Sequence, residues 1–272
     1  MSTHPSPDET PLAASVVRAA GVAIGAGQPV RVIAGPCSVE SAEQFREAAA
    51  AAKAAGAALL RGGAFKPRTS PYSFQGLGER GLAIMRGVAD DLGMGVVTEA
   101  LSADDVPMIA RSADMIQIGA RNMDNAFLLD EVADAGKPIL LKRGMAASVP
   151  EVLAAADRIV ARGNDQVVIC ERGGRTFEPA VRNSLDIAAI PEVKRRSSYP
   201  VIADPSHGTG RWDLVTPVAL AAVAAGADGL IVEIHPDPES ALSDGAQSLR
   251  PDRFAALMEA VRRTAAAVGR AP

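Results

Sequence analysis

This sequence predicts a single-domain α/β protein, a (β/α)8 TIM barrel with a short N-terminal extension, and three observations support that fold class. Short apolar runs alternate with alanine-rich helical segments, a pattern that indicates parallel strands joined by crossover helices. Eight such units fit into roughly 240 residues, which is typical of a closed barrel. Charged or metal-binding side chains follow the predicted strands, at the barrel end that carries active sites. The alternative is an open doubly wound sheet, but no Gly-x-Gly-x-x-Gly opens the first helix.

The strands begin after an extension of residues 1–29, and residues 30–272 form the predicted barrel. Residues 1–12 are rich in Ser, Pro and Thr, so we expect a loose tail, followed by a short helix and an extended piece before Pro29. Short apolar runs bounded by turn signals are typical of buried parallel strands. The eight predicted strands are Val30–Ala34, Leu59–Arg61, Gly95–Thr98, Met115–Ile118, Pro138–Leu141, Gln166–Cys170, Pro200–Ala203 and Gly229–Glu233.

The intervals between the strands are helical in character. The first helix is predicted from about Ser41, which is suited to the N-cap position, with Gln44 as its capping-box partner. Others begin near Arg80 and Asp252. A further helix covers Pro150–Arg162, where the proline suits a first helical turn.

Composition excludes several classes of function. A hydrophobic content of 48% with 22% charged residues is that of a soluble globular protein. The net charge of −4 argues against nucleic-acid binding, and 3% aromatic residues leave few stacking platforms for bases. No stretch is long and apolar enough for a membrane span, and Met1–Pro29 has no secretory signal. Cys37 and Cys170 are too few for a disulfide framework, so we expect a cytoplasmic location.

Every predicted strand is followed by a charged or ligating side chain. Because the carboxyl ends of barrel strands meet at one rim, these side chains are expected to converge on a site there. In chain order they are Cys37, Arg61 with Lys66 and Arg68, Glu99, Arg121, Lys142, Glu171 with Arg172, His207 and Glu233.

The segment Leu59–Ser70 is the most informative of these strand ends. Two glycines follow the strand, and Lys66, Arg68, Thr69 and Ser70 come within one short loop. Glycines beside cations and hydroxyls supply the donors that a phosphate or carboxylate requires. On this segment alone a basic surface turn is an equal alternative, but the other strand ends favour an anion site.

Five motifs occur together in order along the chain. They are Ala34-Gly35-Pro36-Cys37-Ser38, Lys66-Pro67-Arg68-Thr69-Ser70, Ile118-Gly119-Ala120-Arg121, Asp204-Pro205-Ser206-His207 and Glu233-Ile234-His235-Pro236. From about Val30 to Leu249 the chain resembles the short type I branch of the 3-deoxy-D-arabino-heptulosonate 7-phosphate (DAHP) synthases. The resemblance implies a metal-dependent condensation of phosphoenolpyruvate with erythrose 4-phosphate, the first step of the shikimate pathway to aromatic amino acids.

The resemblance also implies a metal site formed by Cys37, His207, Glu233 and Asp244. A thiolate, an imidazole and two carboxylates suit Mn²⁺, which we expect first, or Fe²⁺, Co²⁺ or Zn²⁺, and suit Ca²⁺ poorly. For Cys37 alone, a small buried hydrophobic residue would be the usual interpretation. Cys170 has no such companions and is expected in the core.

By the same resemblance, a second set of residues binds the substrates. Those expected to hold phosphoenolpyruvate are Arg61, Lys66, Ala120, Arg121, Lys142 and Arg172, with Glu99 nearby. Those expected to face the aldose phosphate are Arg68, Thr69 and Ser70. Those expected to stabilise charge or move protons are Lys66, Lys142, Arg172 and His207. For any single arginine a surface salt bridge is the default interpretation.

Three alternatives to this function stay open. The 3-deoxy-octulosonate 8-phosphate synthases share the barrel and use arabinose 5-phosphate, although their loop reads closer to Lys-Ala-Asn-Arg than to Lys-Pro-Arg-Thr-Ser. A secondary-metabolism paralogue would use an amino-substituted acceptor. A barrel that had lost catalysis would act as a binding or regulatory subunit, but no predicted ligand is missing.

Two expectations concern assembly and regulation. We expect a homo-oligomer, either a dimer or a tetramer, with no nucleic-acid or membrane partner. The segment before Val30 is short for an appended regulatory domain, so we expect no allosteric inhibition through one.

Overall fold

The structure is a computed structural model that describes residues 15–66 and 72–271. It begins with an antiparallel hairpin of β1 (Val16–Ala19) and β2 (Val22–Gly25). Eight further strands form a closed parallel barrel. They are β3 (Arg31–Gly35), β4 (Leu59–Arg61), β5 (Gly95–Ala100), β6 (Met115–Ile118), β7 (Ile139–Lys142), β8 (Val167–Glu171), β9 (Val201–Ala203) and β10 (Gly229–Glu233).

The barrel strands pair in chain order, and β10 closes the ring by pairing with β3. This confirms the predicted (β/α)8 class and all eight predicted strands, whose ends shift by at most two residues. Pro138 and Pro200 precede β7 and β9 because a proline has no N–H to donate to a strand ladder.

Helices fill the intervals between the strands, as the alternation predicts. They are α1 (Ala42–Ala55), α2 (Glu79–Leu92), α3 (Val106–Ser112), α4 (Ala126–Asp134), α5 (Val149–Ala161), α6 (Ala189–Arg196), α7 (Pro205–Thr209), α8 (Trp212–Ala224) and α9 (Pro251–Ala267). Within the described ranges, none of them is long and apolar enough to cross a membrane.

The predicted N-cap of α1 is confirmed, but its capping box is not. The Ser41 hydroxyl accepts a hydrogen bond from the Gln44 amide at 3.1 Å. The Gln44 side chain accepts from the Glu40 amide rather than from the amide of Ser41. A reciprocal capping box occurs instead at the start of α5, between Ser148 and Glu151.

Two apolar cores lie on opposite faces of the barrel wall. In β3, Val32 and Ala34 pack with the outer helices, whereas Ile33 packs inside the barrel. This alternation follows from the period of two along a strand. The inner core is continuous with the hairpin, because Val17 and Ile24 join the same cluster.

The prediction of a short helix before Pro29 is wrong, because Val16–Ala19 and Val22–Gly25 form the β1–β2 hairpin. Ala20 and Gly21 both have positive φ angles, 46° and 79°, which is the geometry of a tight two-residue hairpin turn. A Cβ atom on Gly95, the first residue of β5, would lie 2.5 Å from the Cβ of Ala20. The hairpin therefore covers the amino-terminal end of the barrel, opposite the predicted site.

Candidate active site

A polar cavity of about 180 Å³ opens at the carboxyl ends of the barrel strands. It brings together ten of the predicted site residues from all eight strand ends and the loops that follow them. The cavity is lined by Cys37, Arg61, Lys66, Glu99, Leu101, Gln117, Gly119, Ala120, Arg121, Asn122, Lys142, Met145, Arg172, Arg182, His207 and Asp244. The predicted residues Arg68, Thr69 and Ser70 lie outside the described residues.

Four potential metal donors meet at one side of this cavity. Ligand atoms of Cys37, Glu233 and Asp244 all lie within 4.8 Å of one another, and Cys37 Sγ is 3.3 Å from Asp244 Oδ2. His207 Nε2 lies 3.4 Å from Glu233 Oε1 and 3.9 Å from Asp244 Oδ2. Two atoms that each bind one ion at about 2.0–2.3 Å are separated by roughly 3–4 Å. The donor set and its spacing therefore fit a divalent transition metal.

The chain geometry brings these ligands together from distant positions. Gly35 ends β3 where a Cβ atom would lie 2.0 Å from the carbonyl oxygen of Arg61, so only glycine allows this approach of β3 to β4. The turn that follows Gly35 places Cys37 beside Arg61. Asp244 has φ 50° and ψ 31°, a left-handed conformation that Asp tolerates better than most residues. The backbone geometry at Gly35 and Asp244 therefore sets where the side chains of Cys37 and Asp244 lie.

Burial and neighbouring charge set the protonation of these groups. Burial, reinforced by the Glu233 carboxylate, raises the pKa of the Cys37 thiol to about 12, although the ammonium of Lys66 lies 3.0 Å from the sulfur and opposes the shift. For Glu233, burial alone would raise the pKa, but His207 and Arg61 outweigh it and lower the pKa. A bound divalent cation would favour the Cys37 thiolate, just as the cations around Glu233 favour its carboxylate.

Glu233 is held by three groups besides His207. Arg61 Nη1 donates to Glu233 Oε1 at 2.7 Å, and Gln247 Nε2 donates to Oε2 at 2.7 Å. The hydroxyl of Ser206 accepts from the Glu233 amide at 3.0 Å. Arg61 keeps one buried donor, Nε, without a hydrogen-bond partner among the described residues. An acceptor on a bound substrate would satisfy that donor.

Asp204 is the most important residue that sequence reasoning missed. Its Oδ2 accepts from Lys142 Nζ at 2.6 Å and pairs with His207 Nδ1 at 2.8 Å, and its Oδ1 caps the short helix α7 through the His207 amide. Burial would raise the pKa of the Asp204 carboxyl, but the attraction of His207 and Lys142 holds that pKa well below its usual range. Asp204 thereby turns His207 Nε2 toward the metal donors. Its place in the Asp-Pro-Ser-His motif, three residues before the histidine, was the available signal.

Arg172 is buried in the cavity wall without a carboxylate partner. No Asp or Glu in residues 15–66 and 72–271 forms an ion pair with it, and burial lowers the pKa of its guanidinium. The preceding residue, Glu171, pairs instead with Arg143 at 2.6 Å and accepts from the Gly173 amide at 2.7 Å. Arg143 was not predicted, and it fixes the backbone that carries Arg172. A buried cation of this kind requires an anionic ligand.

Two further cavity residues, Gln117 and Arg182, were not among the predicted site residues. Gln117 Nε2 donates to Glu99 Oε2 at 2.9 Å, so the predicted carboxylate is fixed in the wall. Arg182 lines the cavity and contacts Asp244 Oδ1 at 3.3 Å and Gln247 Oε1 at 3.0 Å. Gln117 lies within β6, and Arg182 lies in the long loop between β8 and α6. Because neither residue stands at a strand end, the search for charged residues at strand ends could not identify them.

The geometry agrees with what comparison with known proteins shows. The model of the DAHP synthetase I family matches residues 9–268. The chain belongs to the DAHP synthetase I family. A relative from Thermotoga maritima, named phospho-2-dehydro-3-deoxyheptonate aldolase, is 52% identical over 255 residues, which are 94% of this chain and 75% of the relative. As a member of this family the chain is an aldol-type transferase, a DAHP synthase, which confirms the resemblance seen in its motifs.

Solved structures support the same assignment to the DAHP synthetase I family. The crystal structure of the Thermotoga maritima DAHP synthase superposes with a TM-score of 0.93 at 50% identity, covering 95% of this chain and 76% of that one. A truncated form of the same enzyme gives a TM-score of 0.89 at 47% identity and covers 95% of each chain. A 2-dehydro-3-deoxyphosphooctonate aldolase from Desulfotalea psychrophila is 33% identical over 278 residues, covering 95% of this chain and 98% of the relative. The lower identity argues against the octulosonate alternative.

Replacing Asp204 tests the buried charge pair. We expect Asp204→Asn to lower the free energy of unfolding by about 3–5 kcal/mol, because it leaves the buried ammonium of Lys142 without its anionic partner. Urea denaturation followed by circular dichroism measures this change. Asp213→Asn is the matched control, because Asp213 pairs with Arg211 at 2.7 Å on the surface and little change is expected there. Equal losses in the two variants would contradict the importance of burial.

Proposed function

We propose that the barrel of residues 30–272 condenses phosphoenolpyruvate with erythrose 4-phosphate, giving DAHP and inorganic phosphate, as the first step of the shikimate pathway in the cytoplasm. The observation that carries this proposal is that one cavity contains two kinds of group. The potential metal donors Cys37, His207 and Asp244 line it, and so does Arg172, a buried guanidinium without a carboxylate partner among the described residues. A metal-assisted reaction of a doubly anionic substrate needs both kinds of group.

Mn²⁺ is the metal that we propose, held by Cys37, His207, Glu233 and Asp244. When bound, a divalent metal acts as a Lewis acid that polarises the aldehyde oxygen of the acceptor. The mixed donor set, with one sulfur, one nitrogen and two carboxylates, supports a transition metal over Ca²⁺ or Mg²⁺. Fe²⁺, Co²⁺ and Zn²⁺ are accepted by the same ligands.

The cations that line the cavity are proposed to hold phosphoenolpyruvate. Six Lys and Arg side chains and only two carboxylates line the described cavity, although the whole chain has a net charge of −4. A phosphate and a carboxylate on one small molecule match this local excess of positive charge. We assign Arg121, Lys142, Arg172 and the Nε of Arg61, which has no hydrogen-bond partner among the described residues, to these anionic groups, beside the backbone of Ala120.

The reaction then requires positioning and proton movement by this chain's own residues. C3 of phosphoenolpyruvate attacks the aldehyde carbon, water adds at C2, and phosphate leaves by cleavage of the C–O bond. Lys66, Lys142 and His207 are the groups in the cavity that can move protons near these atoms. Lys66 Nζ also contacts the carbonyl oxygen and the sulfur of Cys37, so this cavity cation lies beside a proposed metal ligand.

The acceptor is proposed to be the four-carbon aldose phosphate. This rests on the Lys-Pro-Arg-Thr-Ser sequence, in which Arg68, Thr69 and Ser70 are assigned to the aldose phosphate group. The same three residues would favour arabinose 5-phosphate less, because the related octulosonate enzymes carry a different loop. No predicted metal ligand is missing, which disfavours a barrel without catalysis.

Metal removal tests the first half of the site. We expect a chelator to abolish turnover and Mn²⁺ to restore it. Cys37→Ser should weaken Mn²⁺ binding by about tenfold or more and remove most turnover, because a neutral hydroxyl replaces a thiolate ligand. Cys170→Ser is the control, since Cys170 is a second buried thiol that belongs to the inner apolar core and not to the group of metal donors. Full activity after metal removal would contradict the proposed metal site.

Replacing Arg172 tests the anion side. Arg172→Ala should raise KM for phosphoenolpyruvate and lower kcat, with a loss of roughly ten- to a hundredfold in kcat/KM, because one charge-assisted contact to the anion disappears. Steady-state kinetics with each substrate varied in turn measure the effect. Arg175→Ala is the control, because Arg175 is exposed in the same loop and is absent from the described cavity lining. Similar losses in both variants would argue against a specific contact.

An assay of the two acceptors tests the proposed function directly. The purified protein should release phosphate from phosphoenolpyruvate with erythrose 4-phosphate and not with arabinose 5-phosphate. Arg68→Ala should chiefly raise KM for erythrose 4-phosphate, again by roughly ten- to a hundredfold. Preference for arabinose 5-phosphate would instead establish the octulosonate alternative. No product with either acceptor would favour the amino-substituted acceptor of a paralogue or a barrel without catalysis.

A further inference from the structure

Two segments that are far apart in sequence are joined side by side at the metal donors. Cys37 Sγ contacts Asp244 Oδ2 at 3.3 Å. The buried hydroxyls of Ser38 and Ser243 form a hydrogen bond with each other. We call residues 37–40 and 242–244 the paired segments, because Cys37, Ser38 and Glu40 contact Asp244, Ser243 and Leu242 in turn. Each segment contains one potential metal donor, Cys37 in the first and Asp244 in the second.

Glu40 forms the outer end of this pairing. Its Oε1 accepts a hydrogen bond from the Leu242 amide at 2.9 Å, and its side chain is only 12% exposed. The amide of Leu242 lies two residues before Asp244, so this contact fixes the backbone that delivers the carboxylate. A carboxylate acceptor makes a shorter and stronger bond to an amide than a neutral acceptor does.

The second oxygen of Glu40 faces His235, at the beginning of the same loop. His235 Nε2 lies 3.5 Å from Glu40 Oε2, which is an ion-pair separation rather than a hydrogen bond. His235 Nδ1 accepts from the Asp237 amide at 3.0 Å, so in the neutral ring the hydrogen is on Nε2, toward Glu40. His235 is buried, and it begins the loop that Asp244 ends. One carboxylate therefore contacts both ends of the loop.

The loop needs such a contact because its backbone conformation is unfavourable at Asp244. Asp244 has a positive φ of 50°, which costs a non-glycine residue about 1 kcal/mol or more. The loop also places the exposed Leu242 immediately before the paired serine. Contacts from another segment must hold this conformation, and those of the paired segments lie next to the ligand.

We propose that Glu40 is a positioning residue that holds Asp244 at ligand distance from Cys37 without touching the metal or the substrate. This inference rests on the metal site of the proposed function. Groups that orient metal ligands affect affinity by about ten- to a hundredfold when removed, because the ligands lose their alignment. The same range applies to Glu40.

The affinity of the purified apoprotein for Mn²⁺ alone tests this proposal, measured from free Mn²⁺ by electron paramagnetic resonance. Glu40→Ala should weaken binding by about ten- to a hundredfold. Glu40→Gln should lose much less, because its amide oxygen still accepts from the Leu242 amide. Glu47→Ala, an exposed change on the helix α1 that follows Glu40, should bind as the unaltered protein does. A merely structural role would lower the unfolding midpoint of Glu40→Ala and leave its Mn²⁺ affinity unchanged.

Two outcomes would overturn the proposal. One is a folded Glu40→Ala protein with unaltered Mn²⁺ affinity, and the other is a Glu40→Gln protein that loses as much affinity as Glu40→Ala. If Glu40→Ala does not fold, Ser243→Ala removes the neighbouring contact of the paired segments and should still weaken Mn²⁺ binding; unaltered affinity in that variant would also overturn the proposal. Failure of the metal site itself is distinguishable, since Cys37→Ser would then bind Mn²⁺ as the unaltered protein does.

Discussion

Burial of charge at the carboxyl end of the barrel is the constraint on which the rest of the site depends. Asp204 and Glu233 are fully buried, and each is tolerable only because cationic or hydrogen-bonding partners surround it. Lys142 and His207 share Asp204, and Arg61 pairs with Glu233. These pairs limit the rotamers of five side chains at once. These five side chains are therefore oriented before any ligand binds.

The same pairing leaves one buried positive charge without a partner in the described part of the chain. Arg61, Lys142 and the metal donors are largely compensated within the protein, whereas Arg172 has no carboxylate partner within the described ranges. Burial of an uncompensated guanidinium is unfavourable, and an anionic ligand would relieve that cost on binding. The guanidinium of Arg172, unpaired among the described residues, and the ion pairs of the other buried groups are thus two consequences of one physical requirement, namely that buried charge must be balanced.

Two closures outside the cavity support this arrangement. The β1–β2 hairpin covers the amino-terminal end of the barrel and continues its inner core through Val17 and Ile24. At the other end, the paired segments hold two metal donors against each other through Ser38, Ser243 and Glu40. The first closure adds apolar side chains to the inner core, and the second fixes distances that a metal tolerates only within a few tenths of an ångström.

The sequence alone determined the barrel and most of the cavity lining. Strand positions could be read because a buried strand is a local apolar run, and Lys142 or Arg172 could be placed at the rim because strand ends in a parallel barrel share one edge. The metal ligands and the family came from motifs, and the family assignment was confirmed. The roles of Arg68, Thr69 and Ser70 remain predictions from the motif.

Only the tertiary structure decided which groups meet across the chain. Glu40 and Leu242 are 202 residues apart, and Lys142 and Asp204 are 62 residues apart, so no local period or turn signal could pair them. The hairpin was missed for a related reason, since its strands are stabilised by an inner core that exists only after the barrel closes. Secondary-structure propensity and the position of a strand end depend on residues adjacent in sequence. The partners of a buried charge depend instead on which distant segments the closed barrel brings together.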